Sequence, residues 1–235
     1  MRRPILAIAL ALLATPAAAF GQDLEGREIV VTAMRMDQED YSDYMPAVGL
    51  RQKADFLVQQ VTIRGDTRDA AQREREIRTM LSNAIRAGAR AGVELATGDY
   101  ILTRLTPENA AELELVNDRR PDSERVDFLV KASLQDRTVA DAQQQIHSFI
   151  EGVPEVGRAQ MDELGEPTLS IVGPDSYRPQ VIERIAADAK QQAAVLGEGY
   201  GVELTGLNMP VQWARSGPGE VILFIPYELK VVPQP

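Results

Sequence analysis

DFLVQQVTIRG, Asp55–Gly65, shares its first four letters with a later stretch, RVDFLVKASLQD, Arg125–Asp136, in which DFLV returns at Asp127–Val130. A four-letter match carries weight only if the residues that follow behave alike. In the first copy Phe56, Leu57, Val58, Val61 and Ile63 make an apolar run with partial alternation ending at Gly65, the pattern of a strand. Asp66 or Thr67 then offers a helix N-cap. Ile77, Leu81, Ala84, Ile85 and Gly88 recur at the spacing of one helical face, with the charged QRERE of Gln72–Glu76 on the other, and Tyr100–Leu105 supplies a second strand.

The second copy repeats these events. Val126, Phe128, Val130, Ala132 and Leu134 alternate with polar or smaller neighbours, which predicts a strand with one buried face. Thr138 with Asp141 three residues on forms a capping box, and Val139, Ala142, Ile146, Phe149 and Ile150 follow at helical spacing. Gly152 and Pro154 stop that helix, and Thr168–Val172 is the next strand. Both copies therefore read strand, helix, strand.

A third unit opens at Gly173-Pro174. Ser176 is the expected cap and Pro179 suits a first turn. Ile182, Ile185, Ala186, Ala189, Ala193 and Leu196 make the stripe of a helix that Gly197 ends. Val202–Trp213 then predicts a strand and SGPG, Ser216–Gly219, a turn. From Val221 to Val231 every second residue is apolar or Tyr227, which predicts a last strand; Pro226 has no N–H for a ladder and implies an edge or a bulge.

The opening residues MRRPILAIALALLATPAAAFGQ combine Arg2 and Arg3, an apolar run over Ile5–Ala14, and small residues at Ala17–Ala19. This is the layout of a secretory signal peptide cut after Ala19 or Gly21, and it predicts export to the periplasm. The run is shorter than the ~20 residues a membrane-spanning helix needs, so no span is expected after cleavage. Loss of Arg2 and Arg3 makes the formal net charge of −10 more negative by two. Such a field repels nucleic acid phosphate and anionic membrane. The chain has no cysteine, which excludes disulfides, thiolate chemistry and a lipid-modified N-terminal Cys. Gln22–Lys53 reads as an extended, weakly ordered acidic lead-in with a short strand over Ile29–Ala33. Its EIVVTAMR, Glu28–Arg35, is similar to the TonB box of TonB-dependent receptors and is read here as ordinary strand.

The β-α-β opening from Phe56, the Ala-rich helix Pro179–Leu196 running through LGEGYGVELTGL into a strand, and the closing PGEVILFIPYELKVV with Glu228-Leu229 together resemble the SIMPL domain (DUF541) of exported bacterial proteins. The resemblance spans about Ala54–Val232. It implies an α+β fold in which repeated strand-helix-strand units pack their helices on a mixed or antiparallel sheet, a cell-envelope location and a tendency to self-associate. It supplies no catalytic residues. The expected organisation is a signal peptide over 1–21, the acidic segment over 22–53, and one α+β domain over 54–233, made of two β-α-β units, a helix and a C-terminal hairpin.

Motifs for chemistry are sparse. His147 is the single histidine and sits off the apolar stripe of its helix, where a solvated or rim position is expected. No G-x-S-x-G or phosphate-cradling glycine loop is present, and GEGYG at Gly197–Gly201 reads as a helix C-cap and turn. Asp37, Glu39, Asp40 and Asp43 are oxygen ligands of the type Ca²⁺ accepts, without EF-hand spacing. No catalytic, cofactor-binding or metal residue is assigned, and no cofactor is expected. Trp213, Ile222, Phe224, Tyr227 and Val232 are the expected interface residues, on the outer side of the last strand and near it. The expectation is a non-enzymatic periplasmic protein that forms homo-oligomers or binds another envelope protein; the alternative is a small-molecule or calcium-binding module.

Overall fold

The computed structural model describes residues 27–31, 48–99, 101–118 and 120–233. The expected signal peptide, the acidic run from Asp37 to Asp43, Tyr100 and Arg119 lie outside them. The strands are β1 (Glu28–Val31), β2 (Leu50–Lys53), β3 (Phe56–Gly65), β4 (Glu94–Thr97), β5 (Thr103–Arg104), β6 (Val116–Asn117), β7 (Glu124–Ser133), β8 (Gln160–Val172), β9 (Tyr200–Thr205), β10 (Gln212–Arg215), β11 (Glu220–Phe224) and β12 (Glu228–Pro233). The α-helices are α1 (Ala70–Ala91), α2 (Val139–Gly152) and α3 (Arg178–Leu196). The protein is α+β, as its alternating periods predict.

The two DFLV strands lie side by side. β3 and β7 pair antiparallel from Phe56↔Ser133 to Gly65↔Glu124. β8 flanks β3 and β4 flanks β7, both antiparallel, so the path runs β8-β3-β7-β4. The second strand of the first unit is β4, Glu94–Thr97, and not the expected Tyr100–Leu105, of which only Thr103–Arg104 is strand, as β5 beside β4. With that correction each strand-helix-strand unit carries a strand of the other unit between its own two, the split β-α-β interlock of ferredoxin-like sheets.

Alternation along β3 and β7 then sorts the residues. Leu57, Val61, Ile63, Val126, Phe128, Val130 and Ala132 point to the helix side, where they join one core with Ile77, Met80, Leu81 and Ala84 of α1 and Ala142, Ile146, Phe149 and Ile150 of α2. Full burial of each large aliphatic side chain contributes roughly 1.5–3 kcal/mol before entropy is counted. The Thr138 hydroxyl accepts the Asp141 N–H at 3.1 Å and the Asp141 carboxylate accepts the Thr138 N–H at 3.3 Å, so the predicted capping box forms. Those bonds hold the Asp141 carboxyl below its usual range.

The opposite face curls over on itself. β1 pairs with β8 antiparallel, with Glu28 opposite Val172, and Ile29 also bridges to Ile101 beyond β4. The Leu102 N–H donates to the Glu28 carbonyl at 2.9 Å, so the two edges of the path meet and nearly close the sheet. Lys131, 4% exposed, points into this closed end. Its Nζ donates to Glu28 and to Glu94 Oε2 at 3.4 Å, and lies 4.1 Å from the centre of the Phe56 ring. Ser170 Oγ donates to the other Glu28 oxygen at 2.6 Å.

Several expectations need correction. The short strand expected from Ile29 is present as β1, Glu28–Val31, and Leu50–Lys53, expected to be weakly ordered, is also a sheet strand, so these parts of the lead-in belong to the folded body. Helix α1 is capped by Asp69, whose carboxylate accepts the Gln72 N–H at 2.7 Å, not by Asp66 or Thr67. Ser176 sits in a 3₁₀ turn and donates to the Gly173 carbonyl, and α3 starts after it. The strand predicted over Val202–Trp213 is two strands in different sheets: β9 pairs with β12, and β10 with β11. The last strand also divides at Pro226, because β11 pairs with β10 and β2 whereas, among the described residues, β12 pairs only with β9. The missing proline N–H marks the crossing between two sheets and not a bulge in one.

Lys131→Met removes a buried ammonium and leaves Glu28 without its cation, which predicts a loss of about 3–5 kcal/mol in denaturant unfolding. Adding Glu28→Gln should restore part of that loss. An additive double variant would mean that the two charges do not stabilise each other.

Candidate functional site

The curled face is open at its other end. There a cleft of about 740 Å³ is lined by Thr62 and Arg64 from β3, Arg125 from β7, Gln160 and Leu164 from β8, Asp118, Arg120 and Ser123 from the connection before β7, and Glu155, Gly157 and Arg158 from the loop before β8. These strand residues are the β3, β7 and β8 positions whose side chains point away from the helices. Thr62 stands opposite both Asp127 and Asp162, and Arg64 opposite both Arg125 and Gln160, so two polar rows cross three strands.

Four arginines reach the cleft from separate segments: Arg64, Arg120, Arg125 and Arg158. Three are held by carboxylates. Arg64 pairs with Asp162 at 2.8 Å, Arg125 with Asp127 at 3.1 Å and Asp118 at 3.4 Å, and Arg158 with Asp66 at 2.7 Å. The Asp127 and then the Asp118 carboxylates push the Arg125 guanidinium above its ordinary range. Arg120 is exposed and forms no ion pair with the described residues.

Glu76 builds the wall. It lies in the run QRERE, which the helical pattern assigns to solvent, yet Glu76 and Arg73 are buried. Glu76 Oε2 accepts the Thr67 hydroxyl at 2.5 Å and the Arg158 N–H at 3.2 Å, and Oε1 accepts the Gln72 amide at 2.8 Å. These donors, Thr67 first, hold its carboxyl below the usual range. Gly157, at φ 60°, lies against the carboxylate so closely that a Cβ would sit 2.3 Å from Glu76 Cδ. Arg73 donates through Nε to Glu124 Oε2 at 2.7 Å and through Nη1 to the Thr67 carbonyl at 2.7 Å. Thr67, in the connection after β3, is thereby tied to helix α1 twice. The cluster is not visible in the sequence as a whole, because Arg64, Arg125 and Arg158 stand tens of residues apart and the wall needs Glu124 and Arg158 to meet Arg73 and Glu76 across the fold.

The predicted interface residues fall elsewhere. Ile222 and Phe224 are buried within the chain, with Ile222 packed against Gly49, so the outer side of β11 is not an apolar surface. Trp213 and Tyr227 are half-buried against the core. Burial, with the Asp188 carboxylate, pushes the Tyr227 phenol upward. Val232 is half-buried in β12 opposite Gly201. The exposed apolar residues near it are Val195 and Leu196 at the end of α3, 80% and 53% exposed, and Tyr200 at the start of β9, 44% exposed.

His147 is exposed, as its place off the stripe predicts. Nδ1 lies 3.0 Å from Glu163 and Nε2 3.3 Å from Glu151, which raises its pKa, Glu163 contributing most. Among the described residues no group of three or more His, Cys, Asp or Glu is arranged to hold a metal ion, and the acidic run from Asp37 lies outside them. No described helix is long and apolar enough to cross a membrane. No protein-family model matches the chain, and no curated protein shows significant similarity to it.

Two outcomes test the cleft wall. Gly157→Ala adds a Cβ at a left-handed φ against a fixed carboxylate and should cost about 1–3 kcal/mol of stability. Because Glu76 is depressed from its ordinary 4.5, its contribution to stability is present above that pH and is lost as pH falls through the folded value. The stability difference between wild type and Glu76→Gln should therefore shrink from pH 7 to pH 3 in urea titrations. A difference that is constant or grows on acidification would remove Glu76 from this role.

Proposed function

We propose that the protein is a non-enzymatic, periplasmic cell-envelope component of the SIMPL type, which works by associating with copies of itself or with another envelope protein. The observation that carries this reading is the C-terminal module. β9 and β12 pair only with each other, so both outer edges of this two-stranded sheet are open among the described residues, and Val195, Leu196 and Tyr200 lie exposed at one end of it. A two-stranded sheet is marginal alone, and an open edge is a template for a further strand. The adjoining apolar side chains give an incoming strand a surface to bury.

The resemblance to the SIMPL domain supports the same reading through the order of elements: strand, helix and strand twice, then the long α3, β9 and the closing strands. The surface differs from the one expected, since Ile222 and Phe224 are used within the chain and Val232 remains as the expected residue on the open module. Export rests on the N-terminal pattern of Arg2, Arg3 and the Ile5–Ala14 apolar run.

Light scattering of the mature chain is expected to give a mass above the monomer that rises with concentration. Leu196→Asp adds a charge at an exposed helix end and should return the monomer without lowering the thermal midpoint. A strict monomer at high concentration, or an assembly indifferent to Leu196→Asp, would overturn association through this module.

A further inference from the structure

We propose that the arginine-lined cleft binds a small polyhydroxylated oxyanion, a sugar phosphate or a sugar acid, independently of any association through β9 and β12. The guanidinium donors of the lining decide the class. In a chain with 35 acidic and 25 basic residues, four arginines gather at one cleft from four separate segments. Three of them are fixed by Asp162, Asp127 with Asp118, and Asp66, and each guanidinium has five N–H donors, more than these partners use. An arginine braced in this way is preorganised for a phosphate or carboxylate. Among the described residues Arg120 forms no ion pair, so its guanidinium is the one whose donors no carboxylate occupies.

The same lining contains Asp66, Asp118 and Glu155, which oppose a compact polyanion such as pyrophosphate. Carboxylates do accept hydroxyls, and Thr62, Ser123 and Gln160 add neutral donors and acceptors at the cleft. A ligand with one anionic group and several hydroxyls matches both parts. The volume of about 740 Å³ lies within the range of small-molecule sites. Among the described residues the lining carries no aromatic side chain, so recognition there rests on hydrogen bonds and charge and not on stacking.

Calorimetric titration of the mature chain with glucose 6-phosphate, glucuronate, glucose, inorganic phosphate and pyrophosphate tests this. The expected result is saturable one-to-one binding of glucose 6-phosphate or glucuronate, whichever oxyanion the site prefers, with glucose, phosphate and pyrophosphate at least about 10-fold weaker. Arg120→Ala should weaken the sugar anion about 10-fold or more, while Arg86→Ala, on the outer face of α1, should not. Among the described residues the Arg120 side chain holds no ion pair, and the Ser123 N–H bond to its backbone carbonyl survives truncation, so its loss should leave the fold intact, which the thermal midpoint verifies. No saturable binding of either sugar anion, glucose binding as tightly as its phosphate, pyrophosphate binding best, or an unchanged Arg120→Ala affinity would each overturn the proposal.

Discussion

The antiparallel register of β3 against β7 settles both faces of the molecule at once. With a side-chain period of two, pairing Phe56 with Ser133 places Leu57, Val61, Val126 and Phe128 toward the helices, and Arg64, Arg125 and Lys131 on the other side. A slip of one residue would bury the charges beneath α1 and α2 and put the aliphatic residues in the cleft. The cost of that exchange is far larger than any single contact, so the pairing is specified by the sum of the two patterns. The cleft is therefore a by-product of the same alternation that builds the core.

This explains what could be read in the sequence. The elements with a strong period were legible: the two DFLV strands, the stripes of α1 and α2, and the Thr138–Asp141 box, whose bonds join residues three apart. What failed was non-local. QRERE looks solvated because charge runs usually are, and Arg73 is buried where Glu124, which starts β7, and the Thr67 carbonyl accept its donors. Asp66 and Thr67 looked like caps by position, but Arg158 and Glu76 draw them into the cleft wall, leaving the cap to Asp69. The strict alternation from Val221 to Val231 gave no hint that Pro226 divides two sheets, because alternation reports which side a residue faces and not which strand lies beside it.

The corrected surface follows from the same limit. Ile222 and Phe224 face away from Val221 and Leu223 on β11, and a one-sided sheet would have exposed them. The β10-β11-β2 sheet is instead covered on both sides, so the whole of Val221–Ile225 is buried. β12, beyond the proline, holds only exposed and half-buried residues and has no such cover among the described residues.

The curled face deals with charge differently at its two ends. At the closed end the Lys131 ammonium is withdrawn from water, and its donors are met by Glu28 and Glu94 with the Phe56 ring below. A buried pair of this kind adds little net stability over a well-packed apolar pair, yet it constrains which partner is accepted. β1 is four residues long, and hydrophobic burial alone fixes the register of so short a strand weakly. Glu28 meets Lys131 and Ser170 when it stands opposite Val172, so the charge selects the register in which the edge is closed. Val58 and Leu129 lie along the same face between this end and the cleft, where the guanidinium groups of Arg64, Arg125 and Arg158 are braced by carboxylates but remain open to water. One row of outward positions thus holds internally satisfied charge where the sheet closes, and unspent hydrogen-bond donors where it opens.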